Sequence, residues 1–321
     1  MTKKMSVDRE VVIVSLLDFQ EKYDELIGSG SKFLFKYLIK KLRTKPTIAF
    51  SQNFDFLYKI EAPNPVSDLY YSDINREYSL IIMGNGDKLS LFDLDSRNAV
   101  CDINYGYGTI TNVVLRGSDL FISNTDNFLQ KFDFNKLMKT RKFNESLIWQ
   151  SGEQLALIWG FDIYDENQIF VVDYDLGLFV FDYRTGKTLN NQIIGIPKVE
   201  SCANIVFVNR REMILTGYSC FEKYQLGDDN LWNSVKKVST EFLAKSTFVS
   251  FSSMYSAIYE QKSDSVYVTD SGYGTVLIFD RELNYLKKFS AGGRCYGIRI
   301  DEYTGYCYIC HSSSRYVSVY K

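Results

Sequence analysis

The feature that most constrains this fold is a phrase of two short strands joined by a glycine turn, which recurs, blurred, about six times along the chain. Its clearest copy is residues 264–280, DSVYVTDSGYGTVLIFD, followed by LNYLKKFS at 283–290. β-Branched and aromatic residues alternate or run together between turn residues, the pattern of strand, tight turn and strand. The copies align on the third strand of each unit, which ends in an aromatic and then a polar residue. These ends are Phe92-Asp93, Phe132-Asp133, Phe181-Asp182, Tyr224-Gln225, Phe279-Asp280 and Tyr320-Lys321, with gaps of 40, 49, 43, 55 and 41 residues. Seven to nine residues earlier, each unit has a strand stopping at Asn85, Asn124, Asp173, Gly217, Asp270 or His311. A unit of 40 to 55 residues holding four short strands has the size of one propeller blade.

The two ends of the chain carry an internal check. The last unit stops after its third strand at Lys321, while residues 53–62 resemble the fourth-strand sequence at 283–291. Pairing a front strand into the last blade removes two exposed sheet edges at once. The sequence therefore predicts an all-β, six-bladed β-propeller over 47–321, closed by its own N-terminal strand and preceded by a helical arm over 1–46.

Residues 266–280 look like the NHL-type repeat, and 296–301 (YGIRID) like the strand that opens the next such repeat. WD40 repeats are the related alternative, but their Gly-His start and Trp-Asp end are missing. The resemblance to the NHL-like and WD40-like propellers is one of architecture, so it implies a fold and leaves function to the site.

The chain has 321 residues, within reach of one ring domain; 45% are hydrophobic, ample for a core, and four prolines are too few for a long disordered linker. The aromatic content of 16% fits strand propensity and packing between blades. Net charge is −2, split into +4 for residues 1–46 and −6 for the remainder. A mildly acidic ring is a poor general phosphate binder, which disfavours sequence-independent nucleic-acid binding. The apolar run 11–17 meets Asp18 without a cleavage site, no stretch approaches a membrane span, and six cysteines form no dense framework. These traits predict a cytoplasmic or nuclear protein with reduced thiols.

Residues 14–27 have apolar positions close to a 3.6-residue period, and a second helix is expected over 32–43. Lys32, Lys36, Lys40 and Arg43 share one face of it and Phe35, Leu38, Ile39 and Leu42 another. Such a helix can dock on its own ring, enter a partner's groove, or, less favoured, lie on an anionic membrane. A helical pair ahead of a propeller is also similar to F-box substrate receptors, but that motif's Leu-Pro start is missing here.

On NHL-like strand order, the turns after second strands and the crossings between blades share one rim. That rim would gather Tyr105, Tyr107, Tyr174, Tyr273, Arg294, His311 and Arg315, residue types that dominate interface energetics. Two stretches, 136–154 and 228–254, exceed the blade template and could bind or pack over the ring edge.

Enzyme readings fail for want of parts. His311 is the only histidine, excluding paired-histidine schemes and making a Ser-His-Asp triad cramped. Cys307 and Cys310 have metal or redox spacing but lie in an expected strand, where residues three apart point to opposite faces. Some six-bladed propellers are calcium-dependent hydrolases or lactonases, and Asp73, Asp165, Glu260 and Asp301 at inner-strand ends could form a carboxylate ring. The favoured expectation is a non-enzymatic scaffold or adaptor that binds a protein or peptide on one face, with the basic helix as a second contact and no cofactor or metal. The alternatives are a metal-dependent hydrolase and an NHL-type RNA binder using Arg294 and Arg315.

Overall fold

The computed structural model describes residues 48–61, 69–152, 155–189, 202–247, 249–312 and 316–321. The helical arm expected before residue 47 lies outside them. The described chain forms six antiparallel sheets arranged as a ring. Blade 1 is Leu69–Asn75, Leu80–Asn85, Lys88–Asp93 and Ala99–Asn104; blade 2 is Ile110–Arg116, Asp119–Asn124, Leu129–Asp133 and Leu147–Gln150. Blade 3 has three strands, Ile158–Ile163, Gln168–Asp173 and Gly177–Asp182, with one further bridge between Phe181 and Thr188. Blade 4 is Cys202–Asn209, Glu212–Gly217, Cys220–Leu226 and Trp232–Ser239; blade 5 is Met254–Glu260, Ser265–Asp270, Thr275–Asp280 and Tyr285–Ser290. Blade 6 supplies Cys295–Asp301, Tyr306–His311 and Tyr316–Tyr320, and its fourth strand is Phe56–Glu61, antiparallel to Tyr316–Tyr320 with Phe56 opposite Tyr320 and Glu61 opposite Tyr316.

The first strands of neighbouring blades lie against each other around the whole ring, so they line its axis. Second strands are buried on both faces, which is why they read as continuous apolar runs rather than alternations. Leu120 and Ile122 enter the core between blades 1 and 2, whereas Phe121 enters the core between blades 2 and 3. The same split sends Tyr308 and Cys310 into the blade 6–1 core and Cys307 and Ile309 into the blade 5–6 core. Six such cores, one per interface, hold the ring, and each fully buried large aliphatic or aromatic side chain contributes about 1.5–3 kcal/mol.

Every second interface is also clasped by charge. Lys131, 8% exposed, bonds Asp119 at 2.8 Å and sits 4.2 Å from the Tyr183 ring of blade 3. Lys223, 5% exposed, meets Glu212 at 3.4 Å and reaches Glu282 beside blade 5 at 3.2 Å, while Arg281 bonds Glu212 at 2.9 Å. Arg76 of blade 1 pairs with Asp301 of blade 6.

Both long stretches serve as packing elements. The first forms a helix, Phe134–Thr140, capped by Asp133, whose carboxylate accepts from the Lys136 amide at 3.0 Å. Its Phe134 and Leu137, with Phe143, fill the blade 1–2 core. The second provides the outer strand of blade 4 and a helix, Thr240–Thr247, which seats Leu243 in the blade 4–5 core alongside Val249 and Phe251. Phe242 stands outside at 54% exposure, and Phe248 lies outside the described residues.

Candidate interaction face at the channel mouth

Strand register assigns the faces. Each first strand begins opposite the end of its second strand: Ile158 faces Asp173, Met254 faces Asp270 and Cys295 faces His311. Inner-strand starts, second-strand turns and blade crossings therefore share one end of the ring.

At that end, the last residue of the second strand is an aspartate that braces the backbone in blades 3 and 5. Asp173, fully buried, accepts from the amides of Ala156 at 2.6 Å, Leu157 at 3.1 Å, Asp175 at 3.0 Å and Leu176 at 2.8 Å. Asp270 likewise holds the amides of Ser252, Ser253 and Gly272. One carboxylate thus ties a turn to the crossing that precedes its blade, as Asp side chains do in turns.

Each inner strand carries a β-bulge just inside this end. The register shifts between Leu69 and Ser72, Ile110 and Asn112, Ile158 and Gly160, Cys202 and Asn204, Met254 and Ser256, and Cys295 and Ile298. A bulge re-aims the residue it leaves out of the ladder. Among the residues passed over are Thr111, Trp159, Ala203, Tyr255 and Tyr296. Trp159 of blade 3 packs edge-on against Tyr255 of blade 5, with centroids 5.6 Å apart, and blade 4 contributes only Ala203 at this position. A contact that skips a blade spans the channel.

Tyr255 also packs against Tyr296 at 4.2 Å and Tyr218 at 5.4 Å, and Tyr218 packs against Tyr174 at 5.4 Å. The Tyr218 and Tyr255 hydroxyls are 2.6 Å apart, and burial together with that bond drives the Tyr255 hydroxyl well above its ordinary range. Five aromatic side chains from blades 3 to 6 thus form one cluster across the mouth; four are half-buried and Tyr255 is buried. Leu176 and Tyr273, 53% and 59% exposed, are turn residues on the same face.

Deeper in the channel, register places Asp73, Val114, Asp162, Val206, Ile258 and Arg299 at equivalent, half-buried positions. Asp73 and Asp162 each accept from the following amide and from an amide of the next blade, Leu115 at 2.8 Å and Phe207 at 3.1 Å. Burial raises both carboxyl pKa values; for Asp73 the Arg299 guanidinium, 3.7 Å away, opposes it most.

Two of the rim residues expected from the sequence are not on the rim surface. Tyr105 is 2% exposed; its hydroxyl bonds Gln130 and accepts from Asn124 at 2.8 Å, because its ring completes the blade 1–2 core. His311 is fully buried beside Tyr316, with neither ring nitrogen hydrogen-bonded among the described residues, and burial pulls its pKa down to about 4. Neither can anchor a partner. Tyr107 is half-buried against Tyr105, Tyr174 joins the mouth cluster, and Tyr273 and Arg294 are exposed. Arg315, Lys32, Lys36 and Lys40 lie outside the described residues.

The carboxylates weighed as a metal ring are committed elsewhere. Asp165 accepts from the Asn167 and Gln168 amides, Glu260 from the Phe50 amide, and Asp301 holds Arg76. Among the described residues no three His, Cys, Asp or Glu side chains gather as a metal site. All six cysteines are free thiols.

Trp159, Tyr218, Tyr255 and Tyr296 were not singled out by sequence reasoning as contact residues. The available signal was an aromatic residue immediately after the apolar residue that opens an inner strand, at Ile158, Met254 and Cys295.

No protein-family model matches the sequence, and no curated protein matches it. Among solved structures, the WD40 β-propeller domain of Doa1 superposes with a TM-score of 0.57 at 11% identity, covering 79% of this chain and 78% of that one. The computationally designed Ika8 protein gives a TM-score of 0.47 at 10% identity over 79% and 71% of the two chains. The likeness is in fold alone: this chain has a WD40-like propeller architecture without the WD40 sequence signature.

Proposed function

We propose that this chain is a non-enzymatic binding module that docks a protein or peptide on the face bearing the channel mouth. The observation that carries the reading is the aromatic cluster Trp159, Tyr174, Tyr218, Tyr255 and Tyr296, drawn from four blades, with exposed Leu176 and Tyr273 on the same face. Tyr and Trp supply large contact area with few rotatable bonds, which favours interface hot spots. An adaptor role follows if residues 1–46, with the basic face read at Lys32, Lys36 and Lys40, contact a second surface. The free thiols fit a reducing compartment, the cytosol or nucleus.

The test is affinity capture with the full chain and with a Tyr273→Ala/Arg294→Ala double variant, whose side chains are exposed and expendable for folding. Arg211→Ala/Val235→Ser, in the turn between the first two strands and in the outer strand of blade 4, is the control. The reading expects the double variant to lose a partner that the control keeps. Partners retained equally by both variants would end it.

A further inference from the structure

We infer that the group recognised at this mouth is a cationic side chain, a lysine or arginine presented by the docked peptide. The inference rests on the proposed docking face and adds its chemistry. Aromatic faces carry negative electrostatic potential, and a cation over them gains about 0.5–1 kcal/mol when exposed and about 2 or more when desolvated. Here the rings of Trp159, Tyr174, Tyr218, Tyr255 and Tyr296 form one continuous cluster, half-buried for the most part.

The surrounding charge has the matching sign. Turns after the second strands of blades 1, 2 and 3 expose Asp87, Asp126 and Asp175 at this end, and beneath the cluster the channel holds Asp73 and Asp162. Against these stand Lys88, next to Asp87 at the blade 1 turn, Arg299, paired with Asp73, and the exposed Arg294 on the crossing into blade 6. Among the described residues Asp162 accepts from the Ile163 and Phe207 amides, while the Arg299 and Arg116 guanidiniums act on its charge from further away. Electron-rich rings on a face whose turns expose three carboxylates suit a basic side chain and repel an acidic one.

Two peptides differing in one charge decide the matter: acetyl-Gly-Gly-Arg-Gly-Gly-amide and its citrulline counterpart, titrated into the full-length chain labelled with nitrogen-15. The chain has three tryptophans; Trp149 and Trp232 are 8% and 6% exposed, leaving the half-buried Trp159 as the reporter at the mouth. The Trp159 indole resonance, assigned with Trp159→Phe, should shift with the arginine peptide, while those of Trp149 and Trp232 stay in place. Affinity should fall at least about tenfold with citrulline, the equivalent of about 1.4 kcal/mol. A Asp87→Asn/Asp126→Asn/Asp175→Asn variant, changed only at exposed turn positions, should weaken the arginine peptide several-fold and leave citrulline binding unchanged. Equal affinities, an unmoved Trp159 signal, or indifference to the three Asp changes would each overturn the inference. Equal affinities combined with partner loss in Tyr273→Ala/Arg294→Ala would remove the cation and leave the docking face standing.

Discussion

Replacing Asp173 with alanine tests whether the recurring end-of-strand acid is the joint between turn and crossing. The fully buried carboxylate accepts four amide hydrogen bonds, at 2.6, 3.1, 3.0 and 2.8 Å, from Ala156, Leu157, Asp175 and Leu176. A hydrogen bond to a charged group contributes about 1.5–3 kcal/mol net. Three of the four donors belong to exposed residues whose amides can turn to water, and removing the carboxylate also relieves its desolvation. The expected loss is therefore about 2–4 kcal/mol, below the sum of four bonds. For a ring of this size that corresponds to a fall in Tm of roughly 3–7 °C. Thermal unfolding followed by circular dichroism should show this fall for Asp173→Ala and a similar one for Asp270→Ala, which holds three amides at the same position of blade 5. The exposed Asp175→Ala should change Tm by no more than about 2 °C. A loss from Asp173→Ala no larger than that of Asp175→Ala would refute the brace.

Three further outcomes are expected. Because His311 is held neutral, with its pKa lowered from 6.5 to about 4, the unfolded chain binds the extra proton between those values. Stability should accordingly decline as pH falls from 6.5 toward 4, by up to about 3 kcal/mol, and His311→Asn, borrowing the residue of blades 1 and 2, should flatten that part of the urea-midpoint profile. Gly160→Ala should destabilise by about 2–3 kcal/mol or more, since a Cβ would lie 2.6 Å from Asn204 Oδ1 and 2.8 Å from the Ala203 carbonyl oxygen; Gly152→Ala, with nothing within 4 Å, should be neutral in the same denaturation series. Glu212→Ala should cost about 2–4 kcal/mol in chemical denaturation by stripping a carboxylate from buried Lys223, at the lower end for a broken buried pair because Glu282 remains.

The ring itself was legible because its strands repeat a visible grammar. Aromatic-polar strand ends at Phe92, Phe132, Phe181, Tyr224, Phe279 and Tyr320 all fall within two residues of the end of a third strand. The likeness between residues 53–62 and 283–291 was visible for the same reason, as both belong to outer-strand sequence. The mouth was harder to read. A rim assignment from strand order treats all turn and crossing residues alike, yet Tyr105 turns inward to Gln130 and Asn124, and His311 occupies the brace position that Asp173 fills in blade 3. Conversely, Tyr255 and Tyr296 sit inside strands, where alternation assigns them to a face of the sheet; only the local register shift makes them channel residues. Apolar periodicity cannot display an irregularity one residue long. The long stretches at 136–154 and 228–254 were ambiguous because buried Phe143 and Phe251 look in sequence like exposed Phe242.

The bulge shared by all six inner strands separates two demands that usually conflict. Ladder hydrogen bonds are made by the residues on either side of it, so the residue it sets aside is freed from strand pairing and its side chain is aimed by the bulge instead. Threonine, tryptophan, alanine and tyrosine all occupy that place in different blades of this one ring. The opening of the pore is therefore composed blade by blade, through side chains whose identity the strand ladders do not dictate.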